Sequence, residues 1–324
     1  MERAPLKRVY IGAALLLLAA CGSSGGSATI DTFPPLAVPA TIGSTVAAAT
    51  TTLPPPPPPT AAPTTIATTI PAAVDTAVDT AVDGAKPPAI DADAYVVYDV
   101  DSQKWLAGQD ADTAKPVGSL MKLLTAYVVM QAGDPTHVAT VPPMQLDPAE
   151  SAIGLYEGQR LSREILLRAE LIVSANDASR TLALDVGGSE EAFVAKMNEA
   201  AQSLGMSQTA AVNSVGLDAE GAHSSARDMV SLATILMQDP TFRATVARTD
   251  ARMNGQHFNA TNKLLTSYDG ATGVKTGHTT AAGYCLVGSA TRDGRSVIVA
   301  VLGAPTDKAR IDGASTLLDW AFSR

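Results

Sequence analysis

The stretch ATGVKTGHTTAAGYCLVGSATRDGRSVIVAVLGA, residues 271–304, decides the fold. Three runs within it, 271–275, 283–290 and 296–303, are rich in β-branched and small apolar residues. Turn formers such as Arg292-Asp293-Gly294-Arg295 separate them, so they read as strands. Behind them a final helix is expected over about 308–322. At the other end of the region, Tyr95-Val96-Val97-Tyr98-Asp99-Val100 reads as a strand, with Lys104-Trp105-Leu106-Ala107 as its hairpin partner. Helical spacing and caps fill the middle. Residues 119–130 precede the stop signal Gly133, Ser162 opens 163–172, and 176–184 follows after a break. Ser189 and Gly205 bound 190–204, and Ser225-Ala226-Arg227-Asp228 opens a helix to about Met237. Strands at both ends and helices between them predict an α+β domain. If the end strands pair, they form an antiparallel sheet flanked by helices, with a helical insert.

Composition narrows the function classes. The 324-residue chain is 46% hydrophobic and carries a net charge of −9, and no Lys/Arg run follows the first eight residues. Nucleic-acid partners, which call for a basic stripe, are not expected. His137, His223, His257 and His278 show no ligand spacing, so neither a zinc site nor any cofactor is indicated.

The N-terminus carries an address. Arg3, Lys7 and Arg8 give a positive start, and Val9 to Ala20 a short apolar run, too short to span a bilayer comfortably. Leu18-Ala19-Ala20-Cys21-Gly22 resembles the bacterial lipobox. That resemblance implies a signal peptide over 1–20, cleavage before Cys21 and lipid on Cys21, which would hold the chain at the outer face of the cytoplasmic membrane. Residues 21–88 are rich in Ala, Thr and Pro, with six prolines from Pro54 to Pro59. They bury too little apolar surface to offset their ordering entropy and read as a disordered tether. Cys285, in the apolar run Tyr284-Cys285-Leu286-Val287, reads as a buried core thiol. The remaining domain, 89–324, is long enough to bury a sizeable core.

Three short motifs follow one another in that domain: Ser119-Leu120-Met121-Lys122, Ser174-Ala175-Asn176 and Lys275-Thr276-Gly277. Each alone has an ordinary reading as a helix start, a cap or a turn. Together, with the first opening a helix and the third on a strand, they suggest a nucleophile and its company. Ser119 and Lys122 lie three apart on one helical face. A serine hydroxyl needs an adjacent base, and a lysine is a base only when neutral, which burial and a nearby cation such as Lys275 favour. Ser174 would pass a proton to the leaving amine. Asn176 would hold Lys122 and a substrate amide. The backbone N–H groups of Ser119 and His278 would form an oxyanion hole.

The motif trio is the pattern of β-lactamases and penicillin-binding proteins. The region from about 90 to 324 resembles one branch of these, the serine-type D-alanyl-D-alanine carboxypeptidases or low-molecular-weight penicillin-binding proteins. Ser174-Ala175-Asn176-Asp177-Ala178, the turn Asn213-Ser214-Val215-Gly216-Leu217, Asn262-Lys263-Leu264-Leu265 and the block from Gly273 to Val287 carry the resemblance. It implies that Ser119 attacks the D-Ala-D-Ala bond of peptidoglycan stem peptides, that D-alanine leaves, and that water releases the acyl group. It also implies acylation by β-lactams. Arg310 falls where the family places an arginine that helps hold the terminal carboxylate, and Thr276 and Thr279 would contact the same group. The family usually has Ala-Ser-x-Thr-Lys at the nucleophile, so Gly118 and Met121 are departures.

Two alternatives compete. A class A β-lactamase shares the trio but deacylates through a glutamate in an E-x-x-L-N loop. No such loop lies between Ser174 and Lys275, and Glu220 stands there in another context. A catalytically weak, wall-binding lipoprotein on the same fold is the non-enzyme alternative. Gly118 and Met121 favour it, whereas the intact Ser119, Lys122, Ser174, Asn176 and Lys275 oppose it.

Overall fold

Successive residues of the last strand point to opposite faces, and both faces are covered. The structure, a computed structural model, describes residues 86–253 and 255–324. The signal segment 1–20, Cys21 and nearly all of the tether 21–88 lie outside the described residues. The end strands do pair. β1 (Ala94–Asp99) runs antiparallel to β9 (Arg295–Ala304), with Ala94 opposite Leu302 and Asp99 opposite Val297. The sheet order is β2 (Lys104–Gln109), β1, β9, β8 (Gly283–Arg292), β7 (Ala271–Thr279), so β7 is an edge strand.

Tyr95, Val97, Val297, Val299 and Val301 share a core with Ala314, Leu317 and Leu318 of α8 (Asp307–Phe322). Val96, Tyr98, Ile298, Ala300 and Leu302 join the opposite core. There they meet apolar residues of α1 (Lys122–Gln131) and α5 (Ala226–Leu236). Covering both faces explains why these strands read as continuous apolar runs. Each buried Val, Leu or Ile contributes about 1.5–3 kcal/mol. Cys285 is a free, fully buried thiol, its pKa pushed up to about 11 chiefly by burial.

The helical region contains α2 (Arg163–Arg168), α3 (Asn176–Gly187) and α4 (Glu190–Ser203). The expected caps are present. Ser162, Ser189 and Ser225 accept from the amides of Ile165, Ala192 and Asp228. Two expected helices are shorter than their spacing suggests. The one expected from 119 begins as a 3-10 turn, Gly118–Met121, and turns α-helical only at Lys122. The one expected over 163–172 gives way at Ala169 to a π-turn, Ala169–Val173, ending at Ser174 with φ +66°. Long-range pairing overrides local propensity there, since the Ile172 carbonyl accepts from the Thr261 amide at 3.0 Å.

Strand β7 exceeds the expected 271–275, because residues up to Thr279 pair with β8 as far as Gly283. Two hairpins are additions, β3 (Val138–Thr140) with β4 (Arg160–Ser162) and β5 (Asp250–Met253) with β6 (Gln256–Asn259). Short α6 (Pro240–Val246), capped by Asp239, and α7 (Leu264–Ser267) are likewise additions.

Candidate active site

The 3-10 turn delivers Ser119 to the free edge of β7. Gly118, at φ +55°, turns the chain into it, in a conformation a side chain takes only with strain. Three residues on, Lys122 opens α1 and donates from Nζ to Ser119 Oγ at 2.9 Å. A second bond runs from Nζ to the Val215 carbonyl at 2.5 Å. Lys122 is wholly buried. Burial pushes its ammonium down to about 7 against the pull of Glu170 and Glu150, with Arg180 lowering it further. Near neutral pH a large share of this amine is therefore unprotonated, and in that form it can accept the Ser119 proton.

The Val215 carbonyl is fixed by the turn around it. Asn213 Oδ1 accepts from the amides of Val215, Gly216 and Leu217 at 3.2, 2.7 and 3.0 Å. Thr125 Oγ1 donates to the Ser214 carbonyl at 2.7 Å. Gly216 has φ +77°, and a Cβ there would stand 2.2 Å from the Gly118 carbonyl oxygen, so the two turns touch backbone to backbone. A hollow lined by Val117, Gly118, Met121, Gly216, Leu217 and Asp218 opens beside them.

The second and third motifs meet across the cleft. Lys275, buried on β7, donates to Ser174 Oγ at 2.9 Å and to the Thr276 carbonyl at 2.7 Å. Burial first, then the charges of Lys122 and Arg310, hold its pKa well below the usual lysine range, with Glu170 opposing. The expectation that Lys275 is the cation lowering Lys122 is reversed: the influence runs from Lys122 onto Lys275, while burial and Arg180 lower Lys122. Asn176 departs from expectation: its Nδ2 donates to Glu150 Oε2 at 2.5 Å, not to Lys122. Glu150 also pairs with Arg180 at 2.9 Å. Asp177 accepts from the amides of Ile153 and Leu155 at 3.1 and 3.0 Å, and the Asn176 amide donates to the Ser151 carbonyl. Together these bonds fasten residues 150–155 across the start of α3.

Along β7, Thr276 Oγ1 donates to Thr261 Oγ1 at 2.7 Å, and the Thr279 hydroxyl donates to Asp218. A Cβ on Gly277 would lie 2.4 Å from the Val117 carbonyl oxygen, so only glycine lets β7 pass this close to the nucleophile turn. His278 stacks on Tyr284 with ring centroids 4.1 Å apart. Its backbone nitrogen lies 3.0 Å from where a Gly118 Cβ would stand.

Arg310 sits inside α8, buried, and its fork is occupied. Nε and the second terminal nitrogen reach Asp307 at 2.8 and 2.6 Å. The other terminal nitrogen donates to the Gly277 and Cys285 carbonyls at 2.9 and 3.0 Å. The guanidinium therefore reaches the site from behind β7, not with its fork open to the cleft. Sequence reasoning missed Glu150, Glu170 and Asp218. Only Glu170 left a signal, an acid between Ala169 and the apolar run Leu171-Ile172-Val173 that leads to Ser174.

Residues 81–306 match the family model described as D-alanyl-D-alanine carboxypeptidase. The chain is 37% identical over 246 residues to D-alanyl-D-alanine carboxypeptidase DacB2 of Mycobacterium tuberculosis, covering 72% of this chain and 82% of that one. It is 35% identical over 248 residues to DacA of Escherichia coli strain K12, where it spans 72% of this chain but only 62% of the relative. Among solved structures, a D-alanyl-D-alanine carboxypeptidase from M. tuberculosis H37Rv superposes with a TM-score of 0.70 at 33% identity. That match covers 75% of this chain and 96% of the other.

Proposed function

The chain belongs to the D-alanyl-D-alanine carboxypeptidase family, and from that premise we propose that it removes the terminal D-alanine from peptidoglycan stem peptides through a Ser119 acyl-enzyme. Neutral Lys122 takes the proton from Ser119 Oγ as the oxygen attacks the penultimate D-Ala carbonyl. The developing oxyanion lies between the amides of Ser119 and His278, where one such donor is worth about 3–4 kcal/mol of barrier. Ser174, bonded to Lys275, hands a proton to the departing amine. Water then attacks the ester and frees the shortened peptide. Lys275, Thr276, Gly277 and Thr279 line the strand on which the substrate's terminal carboxylate is bound. Arg310 supports that carboxylate by its field and by bracing the Gly277 carbonyl, its own fork being taken up. Asn176 shapes the cleft wall through Glu150. β-Lactams enter by the same attack and acylate the same serine.

One observation carries this reading: a buried amine held near neutrality at 2.9 Å from a serine oxygen. The wild type should release D-alanine from a peptide ending in Lys-D-Ala-D-Ala, and Ser119→Ala should release none. A wild type that binds penicillin covalently yet frees no D-alanine would leave a wall-binding protein and end the carboxypeptidase claim.

Members of this family work on peptidoglycan, in the cell envelope. No helix among the described residues is long and apolar enough to cross a membrane. The lipobox-like Leu18-Ala19-Ala20-Cys21 supports a lipid anchor at Cys21, with residues 21–88 as the spacer between membrane and wall. Cys21→Ala should move the protein from the membrane fraction to the soluble one; retention in the membrane would place the anchor elsewhere.

A further inference from the structure

The hydroxyl protons of the two threonines assigned to the substrate's terminal carboxylate are both committed within the protein. Thr276 Oγ1 donates to Thr261 Oγ1 at 2.7 Å. Thr279 Oγ1 donates to Asp218 Oδ1 and accepts from the Ala282 amide at 3.0 Å. The second oxygen of Asp218 accepts from the Ala281 amide at 3.0 Å. Asp218 directly follows the turn 213–217 that carries the Val215 carbonyl, so its carboxylate clasps that turn to the chain reversal between β7 and β8. Asp218 and Ala281 both line the hollow beside Gly118 and Met121. Thr279 shares a face of β7 with Gly277 and Lys275, its alternate neighbours, and that face meets the nucleophile turn and Ser174.

A hydroxyl has one proton and two lone pairs. With its proton on Asp218 and one lone pair taken by the Ala282 amide, the Thr279 oxygen offers a ligand only a lone pair, which a carboxylate does not bind. Two anions cannot both take the single O–H. We propose that Asp218 is a specificity-determining residue: it stands on Thr279 as an internal carboxylate, which the substrate's terminal carboxylate must displace to gain that hydroxyl. The inference rests on the carboxypeptidase reading above, in which Thr279 meets the terminal carboxylate. Asp218 then tempers the preference for a free carboxylate over a neutral peptide end. Its charge, exposed at the rim, acts in the same direction by opposing a second anion beside it.

The test is steady-state D-alanine release from a peptide ending in Lys-D-Ala-D-Ala by wild type, Asp218→Asn and Asp218→Ala, with the same peptide capped as its C-terminal amide used as a competitor. Asparagine keeps the clasp. Its Oδ1 still accepts from the Ala281 amide, while its Nδ2 donates to Thr279 Oγ1 and leaves the hydroxyl proton to the substrate. In Asp218→Asn the KM for the acid peptide should fall about tenfold, the worth of one charge-assisted hydrogen bond at a partly exposed site. The kcat should be nearly kept, because the carboxylate is held alike in ground and transition states. The inhibition constant of the amide peptide should not move. A purely structural role would shift both peptides together. An acid-to-amide preference no greater than that of the wild type would overturn the proposal. If thermal melting shows that Asp218→Asn is unfolded, Asp218→Ala decides by the same preference, and failure of both to fold would make Asp218 a structural residue and end the proposal. A wild type that frees no D-alanine would instead defeat the carboxypeptidase reading itself.

Discussion

Lys122→Met should slow acylation of Ser119 by penicillin about 10³- to 10⁴-fold, the usual range for loss of a positioned base, while the protein stays folded. Methionine matches the length of the buried lysine stem and brings no charge into a site that is fully enclosed. What it removes is the 2.9 Å bond to Ser119 and the 2.5 Å bond to the Val215 carbonyl. The orphaned carbonyl costs about 1–3 kcal/mol, and relief from burying an amine offsets part of that, so thermal melting should shift by a few degrees only. The pH dependence gives a second readout with a fixed sign. The base must be unprotonated, and the amine gains its proton as pH falls through about 7. Wild-type acylation should therefore drop tenfold per pH unit below that point. The residual rate of the variant should be flat there. A variant that is labelled at the wild-type rate would place the base on another residue.

Much of this was legible in the sequence, because the three motifs and the end strands each have a local signature. Strands at the two ends of the domain follow from their apolar runs, and the condition that they pair is met by β1 with β9. The Ser119–Lys122 contact followed from spacing alone, even though the turn that carries Ser119 is 3-10 rather than α. What stayed hidden depends on distant partners. No spacing rule says that Asn176 will meet Glu150, twenty-six residues upstream, or that Arg310 will reach back to the Cys285 carbonyl. The β5–β6 hairpin has polar flanks that conceal it from an alternation search, although the sequence pair Asn254-Gly255 is itself a strong two-residue turn signal. The π-turn before Ser174 likewise answers to tertiary bonds. Its consequence, a carboxyl enclosed near two lysines, could be suspected only from an acid standing where apolar residues surround it.

Gly277→Ala should cost both stability and activity, and comparison with Gly294→Ala separates the two. Gly277 does not have a positive φ, so alanine fits its backbone conformation and the whole effect comes from space. The new methyl would fall 2.4 Å from the Val117 carbonyl oxygen and 3.0 Å from the Leu120 amide nitrogen. Both are backbone atoms of the nucleophile turn and its entry, and cannot swing aside as a side chain would. Strand β7 must withdraw, carrying with it His278, whose amide serves the proposed oxyanion hole, and the Gly277 carbonyl that Arg310 braces. Overpacking of this kind costs about 1–3 kcal/mol. A misplacement of about 1 Å at reacting groups costs roughly 10²-fold in rate. Gly294, in the β8–β9 turn, has φ +80°, and nothing lies within 4 Å of where its methyl would stand. Its alanine variant should lose about 1 kcal/mol from backbone strain alone and acylate at the wild-type rate. Thermal melting and penicillin labelling of the two variants side by side make the check. If Gly277→Ala melts lower yet acylates normally, the approach of β7 to the nucleophile turn is a matter of packing and not of catalysis.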